Sequence, residues 1–397
     1  MQQILDATQE QKTHPILRQA FRPFFLFGAL FSAVAIAVWV YSLFSAPLIS
    51  PPLGLLFWHS HEMVFGFVGA VIAGFLLTAV QNWTGYRAIN GKPLLLLLAI
   101  WFVGRIVNAA DFGLPIYIIA IVQLSFWLSV AYNLLKPVFI IKQYRNLIFL
   151  PILTGFTLLD VGSYYFVQHD PAITKSLTHT SVFLVVVLMT VMSGRVFPMF
   201  TANGTNTQRV NANKSLEMVT IAATLFALAV PIFLAPINNK AMLLAALYLF
   251  TGCCHIGRAI RWRPWVTLNV PLVWSLHVSY WFIPVGMLLI ACHYAGMSVS
   301  YSAGLHAITV GGISLMILAM ISRVSLGHSG RQLTPSNTAI TAFYLLALAA
   351  VFRVLAEFYN YTIFLSFSAA AFGTSFLLFV LAYGSILTSP RPDGRPG

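Results

Sequence analysis

The sequence predicts an all-α, polytopic membrane protein: a single membrane domain over residues 1–397, built of twelve transmembrane helices in three four-helix units. Three observations carry that prediction. Of the 397 residues, 59% are hydrophobic and only 8% charged, against roughly 25% charged in soluble domains. Apolar runs of about 20 residues, the length that crosses a bilayer, recur along the whole chain between polar and Gly/Pro segments. Nearly all Lys and Arg fall in alternate connections, the bias expected of cytoplasmic loops.

Hydropathy and punctuation place the spans at 24–44, 58–80, 93–109, 115–135, 147–167 and 176–198, then at 216–235, 241–259, 270–293, 302–324, 337–357 and 362–388. With this count, the basic residues of the N-terminal segment, of the even-numbered connections and of the tail share one side. Lys175 and Lys240 lie on the other, while Arg105 and Arg353 lie within spans. Both termini are therefore expected in the cytoplasm. The net charge of +13 reads as an orientation signal at the lipid bilayer, and no nucleic-acid partner is expected. The polar opening MQQILDATQEQKTHPILRQ lacks the pattern of a cleavable signal peptide and is expected to stay attached. Cys253, Cys254 and Cys292 do not suggest a disulfide framework.

The second, sixth and tenth spans read HEMVFGFVGAVIAGFLLTAVQNWTGYR, HTSVFLVVVLMTVMSGRVFPMFTANGT and HAITVGGISLMILAMISRVSLGHSGR. Each starts with a histidine (His61, His179 or His306) and ends in a polar, basic stretch. This register suggests tandem repeats at 20–140, 141–262 and 263–390. The spans after the first and third share an arginine followed by an acid: Arg105 with Asp111, and Arg353 with Glu357. Four helices per repeat keep all three units in one orientation.

Ionisable groups inside a bilayer are expensive and usually functional. An imidazole at a helix end can also sit among headgroups and water, but three in register, with His59 beside the first, favour metal or haem ligation. His293 ends the ninth span on the same outer side. His59 and His61 are two residues apart, about 200° around a helix, and so point to opposite faces. His59, Glu62, Gly66, Gly69 and Ala73 form a small-residue stripe that suits either tight helix packing or a flat ring. Glu62 reads either as a partner that orients a ligating imidazole or as a group facing outer water. Asp160, midway along the fifth span, is the candidate proton-handling group, against plain hydrogen bonding to Tyr164 or Thr157. Arg195 and Arg323 occupy matching inner ends, where they either snorkel to headgroups or pair with a haem propionate. His277 is placed about 10 Å into the membrane from the inner face, and His14, His255 and His328 are expected to be solvated. The absence of CxxCH means that any haem is held noncovalently, as in a b-type site.

WHSHEMVFGF, GRVFPMFT and LHAITVGGISLMILAMISRVSLGHSGR, with the early FRPFF, resemble the NnrS family over essentially the whole chain. The resemblance implies a bacterial inner-membrane protein that contains haem and copper and is associated with the response to nitric oxide and nitrosative stress. In outline the chain also resembles haem-copper oxidase subunit I, which has twelve helices with ligating histidines on the second, sixth and tenth. It departs in having HxH on the second helix, one histidine on the tenth, and no histidine pair after the sixth.

These resemblances imply nitric oxide binding and reduction near the outer side, with an electron donor that no motif identifies. His61 and His306 are then expected as haem axial ligands, with Arg195 and Arg323 as further cofactor contacts. His59, His179 and His293 are expected at copper or a second centre, and Asp160 and Glu62 as the catalytic acids. The rival expectation is a transporter or sequestering protein for metal, haem or nitrosyl-iron, without turnover.

Overall fold

The computed structural model describes residues 12–233 and 240–394. Most of the polar opening segment and the expected end of the seventh span lie outside the described residues. Twelve helices are long and apolar enough to cross a membrane, and the described residues form no sheet, only an isolated bridge between Ser50 and Ala110. The chain is an all-α polytopic membrane protein.

In chain order the helices are α1 Phe21–Phe44, α2 Leu55–Thr84, α3 Gly91–Ala109, α4 Ile116–Ile141, α5 Phe149–His169 and α6 Pro171–Thr205. They continue as α7 Lys214–Phe233, α8 Ala241–Arg261, α9 Pro271–Tyr294, α10 Tyr301–His328, α11 Asn337–Leu355 and α12 Tyr361–Thr388.

α6 overruns its expected span at both ends, for local reasons. Asp170 caps it, its Oδ1 accepting from the amides of Ala172 at 2.9 Å and Ile173 at 3.1 Å, and Pro171 occupies the first turn, where no amide donor is needed. Pro198 stays inside the helix, because a proline within a membrane helix is tolerated where neighbours re-satisfy the backbone.

α2 and α10 share a feature that α6 lacks. The residue after His61 opens a π-helical turn, Glu62–Val68, and the residue after His306 opens another, Ala307–Ser314. Such turns place an extra residue in the helix, re-aim the side chains around it, and occur often at functional sites.

The helices group into two compact units. The first takes the chain up to Ser181, with Ile321–Leu333 and the chain from Phe376; the second takes Val182–Met320 and Thr334–Ser375. In the first unit, α2 packs against α1, α3 and α4, and α4 also packs against α5. α1 and α2 approach closely: a Cβ on Gly74 would stand 2.9 Å from Phe24 Cβ. The FRPFF segment has a structural task here. Arg22 is fully buried and donates from Nη1 to the carbonyls of Leu387 at 2.9 Å and Ser389 at 2.8 Å, closing the end of α12, whose last carbonyls have no partner within the helix.

In the second unit, α8 lies between α7 and α9, while α9 and α11 flank α10. α9 and α10 meet through small residues: a Cβ on Gly304 would stand 2.7 Å from the Gly286 carbonyl, so these helices pack backbone to backbone.

Candidate functional site

α2 brings His61 and Glu62 into the middle of the first unit, and α5 brings Asp160. All three are buried, the carboxylates completely. His61 bridges them: its Nδ1 lies 3.0 Å from Glu62 Oε1 and its Nε2 lies 2.7 Å from Asp160 Oδ1. The other oxygens are also filled. Arg105 on α3 donates from Nη1 to Glu62 Oε2 at 2.7 Å and from Nη2 to Gln123 Oε1, on α4, at 2.7 Å. Trp127 Nε1, also on α4, donates to Asp160 Oδ2 at 2.7 Å. Each carboxylate oxygen thus has a partner, the condition under which a desolvated ion cluster is tolerable.

The sequence builds this site through room as well as charge. A Cβ on Gly66 would collide with Arg105 Nη1 and stand 2.8 Å from Glu62 Oε2. Trp101 fixes the same turn, donating from Nε1 to the Gly66 carbonyl at 3.0 Å. The His61 ring is boxed by Phe57, stacked at 5.3 Å, and by Phe65 and Tyr164, each at 5.0 Å. Tyr164 turns its hydroxyl away to Asn108 Oδ1 at 2.8 Å.

The donor count fixes the chemistry. Carboxylates only accept, and an imidazole donates from both nitrogens only when doubly protonated. Both His61 nitrogens face carboxylate oxygens, so the cluster holds one proton more than neutral histidine with two ionised acids. That proton rests on His61 or on one carboxyl group. With His61 protonated, two acids and two bases leave no net charge in the low-dielectric interior. Such a site can hold, release and recover a proton.

The other expected residues are placed as follows. His59 stacks flat on Trp39 of α1, with ring centroids 4.3 Å apart. His179 is half-buried on α6. His293 is exposed, its Nδ1 2.9 Å from the Val299 carbonyl. His306 is half-buried, with Nδ1 2.9 Å from the Ser302 carbonyl. Ligating imidazoles often have such an Nδ1 anchor, but ordinary helix-end histidines share it. Arg195 is exposed and Arg323 half-buried. Asp160 bonds to His61 and Trp127 instead of Tyr164 or Thr157, and Glu62 faces no outer water.

Arg105 pairs with Glu62, while Asp111 accepts from the Gly113 amide at 2.8 Å. One expectation needs correction. His255, expected to be solvated, is fully buried. Both ring nitrogens of His61 face carboxylate oxygens, so in this arrangement neither is free to ligate a haem iron or a copper ion. Among the described residues, no group of three or more His, Cys, Asp or Glu is arranged to hold a metal ion. Gln123 and Trp127 were not singled out from the sequence. Polar or amphipathic residues on the helix facing a charged one are the signal that points to them.

The sequence pattern described as NnrS protein matches residues 15–391 of the chain. The chain belongs to the NnrS family. Comparison with the curated proteins returns no match. NnrS membership fits a membrane protein of the nitric oxide response, and the NnrS motif WHSHEMVFGF holds two members of the buried cluster, His61 and Glu62.

Proposed function

We propose that this NnrS protein binds and reduces nitric oxide, protecting against nitrosative stress, and that His61, held between Glu62 and Asp160, supplies protons to that reduction. The observation that supports this reading most is the placement of both His61 ring nitrogens against oxygens of two buried carboxyl groups. Reduction of nitric oxide to nitrous oxide and water consumes protons together with electrons. A reaction shielded by a bilayer cannot draw those protons from bulk water at each turn and needs an internal acid. Nitric oxide itself is small, uncharged and lipid-soluble, so it needs no solute channel. Arg105 holds and orients Glu62, and Trp127 does the same for Asp160, which leaves His61 between them as the group that exchanges the proton.

Haem and copper, which the family resemblance implies, would have to be held by residues other than His61, and no step here runs through them. The electrons enter from a donor of unidentified class. On the charge distribution, the cluster lies in the outer half of the membrane, with both termini in the cytoplasm of a bacterial inner membrane.

The test is nitric oxide consumption by the purified full-length protein in proteoliposomes supplied with a chemical reductant, alongside its haem and copper content. Sustained consumption over many turnovers is expected. A single stoichiometric burst would overturn the reductive reading in favour of a sequestering protein. His61→Gln should lower the sustained rate by about 100-fold, the scale of a lost general acid.

A further inference from the structure

The second unit holds a buried polar network that the reading above does not use. Arg258 on α8 is almost completely buried. It donates from Nε to Glu217 Oε1, on α7, at 3.0 Å and from Nη2 to Glu217 Oε2 at 2.5 Å. It also donates to the Thr190 carbonyl of α6 at 2.7 Å and, from Nη1, to the Tyr280 hydroxyl of α9 at 3.0 Å. The same hydroxyl lies 2.7 Å from His255 Nδ1, and His255 Nε2 lies 3.0 Å from Thr224 Oγ1.

Guanidinium has donors only, so the Tyr280 oxygen accepts from Arg258, and its own proton can lie along the 2.7 Å contact to His255 Nδ1, with Ser193 as a further partner of the phenol. His255 is then the neutral tautomer with its proton on Nε2, given to Thr224, whose hydroxyl donates to the Thr220 carbonyl at 2.7 Å. Tyr280 is therefore a buried phenol hydrogen-bonded to a neutral base. Tyr164 in the first unit, equally buried, bonds only to an amide oxygen, which takes no proton.

A phenol gives up an electron readily only if its proton leaves at the same time, and a buried phenol cannot pass that proton to water. We propose that Tyr280 is a redox-active tyrosine, oxidised by one-electron oxidants of the nitrogen-oxide class such as nitrogen dioxide. The electron goes to nitrogen dioxide, which becomes nitrite; the O–H bond of Tyr280 breaks, an N–H bond forms on His255 Nδ1, and a neutral phenoxyl radical remains beside an imidazolium. Glu217 makes this tolerable by balancing the charge of Arg258 close to the new cation. Trp262 lies with its ring 4.7 Å from that of Tyr280 and lines a cavity of about 10 Å³ together with Glu217, Arg258 and Arg261. None of this depends on nitric oxide reduction.

The experiment exposes the full-length protein in detergent to photochemically generated nitrogen dioxide, with no nitric oxide or reductant present. Radicals are read by electron paramagnetic resonance in frozen samples, and nitrated tyrosines by peptide mass spectrometry. A long-lived tyrosyl signal is expected, with Tyr280 nitrated ahead of exposed Tyr117 and Tyr359. Tyr280→Phe should remove the long-lived signal. His255→Gln keeps a hydrogen-bond acceptor but no base, and should lower the signal at least about tenfold. Nitration of the exposed tyrosines with Tyr280 spared, or a signal that survives His255→Gln undiminished, overturns the proposal. The nitration map uses the unaltered protein, so it decides the matter even if Tyr280→Phe fails to fold.

Discussion

Each unit sets a buried histidine and a buried arginine beside a glutamate and a cluster of aromatic rings, yet the two assemblies have opposite chemistry. In the first, the imidazole of His61 lies between two carboxylates and belongs to a set that must carry an extra proton. In the second, the imidazole of His255 lies between two hydroxyls, beside an arginine that already has its counter-ion, and no acid faces either ring nitrogen. One is a store of a proton and the other a vacancy for one. What a buried histidine does is set by whether its neighbours can only accept or can also donate.

The comparison breaks most visibly at the arginines. Arg105→Met strands Glu62, which has no exposed surface, and should cost about 3–5 kcal/mol, the scale of an orphaned buried charge. Arg258→Met strands Glu217, whose side chain is 21% exposed and can turn to water, so about 1–3 kcal/mol is expected, the scale of hydrogen bonds to a charged group. Thermal unfolding of both variants in the same detergent checks the order. Equal losses would mean that exposure of the acid does not govern the difference.

A smaller effect tests the space that each pair needs. Both glutamate–arginine pairs lie against a glycine on a histidine-bearing helix, Gly66 on α2 and Gly194 on α6. A Cβ on Gly194 would collide with Arg258 Nη2 and Glu217 Oε2, as one on Gly66 would with Arg105. Gly66→Ala and Gly194→Ala should each cost about 1–3 kcal/mol by overpacking. The loss should be larger at Gly66, where every displaced group is already fully bonded. If Gly194→Ala proves the more damaging, the exposed side of Glu217 offers no relief, and the distinction between the two sites weakens.

These glycines also show what the sequence could and could not reveal. The twelve spans were legible because the hydrophobic requirement of a bilayer is met residue by residue. Gly66 was legible as part of a small-residue stripe, but the stripe suits a flat ring or a tight helix equally well. Only the coordinates show that it makes room for an ion pair. Asp160, Glu62 and His61 stood out because charge is scarce in such a chain. Their convergence did not, since it depends on how α5 packs beside α2 through α4 and on a π-helical turn that shifts the face following His61. His255 was misjudged because it stands at the basic inner end of the eighth span, beside Arg258 and Arg261, whereas α8 turns it inward.

A third acid–arginine pair, half-buried, extends the comparison to the end of α11. Glu357, just beyond α11, accepts from Arg353 Nη1 at 2.9 Å and from the Ser300 hydroxyl at 2.8 Å. Partial burial pushes its carboxyl group up, but the hydrogen bonds from Arg353 and from the Ser300 and Ser302 hydroxyls, with the nearby guanidinium charge, outweigh it and hold the group below the ordinary carboxylate value. A carboxyl group depressed in the folded state stabilises fully above its unfolded-state pKa, about 4.3 for glutamate, and loses that contribution as pH falls through the folded value. Glu357→Gln should therefore flatten the acid limb of the stability profile below about pH 5. At pH 7 it should cost less than about 1 kcal/mol, as partly exposed pairs do. Ser300 also caps α10, accepting from the Ala303 amide at 3.0 Å, and glutamine can still accept from its hydroxyl, so the cap should survive. Unfolding midpoints measured from pH 4 to pH 7 in both proteins would show this, and parallel curves would mean that Glu357 is not held ionised by these partners. The result sets the scale for an arginine–carboxylate pair at the edge of this fold, against which the cost of removing Arg105 measures what burial adds.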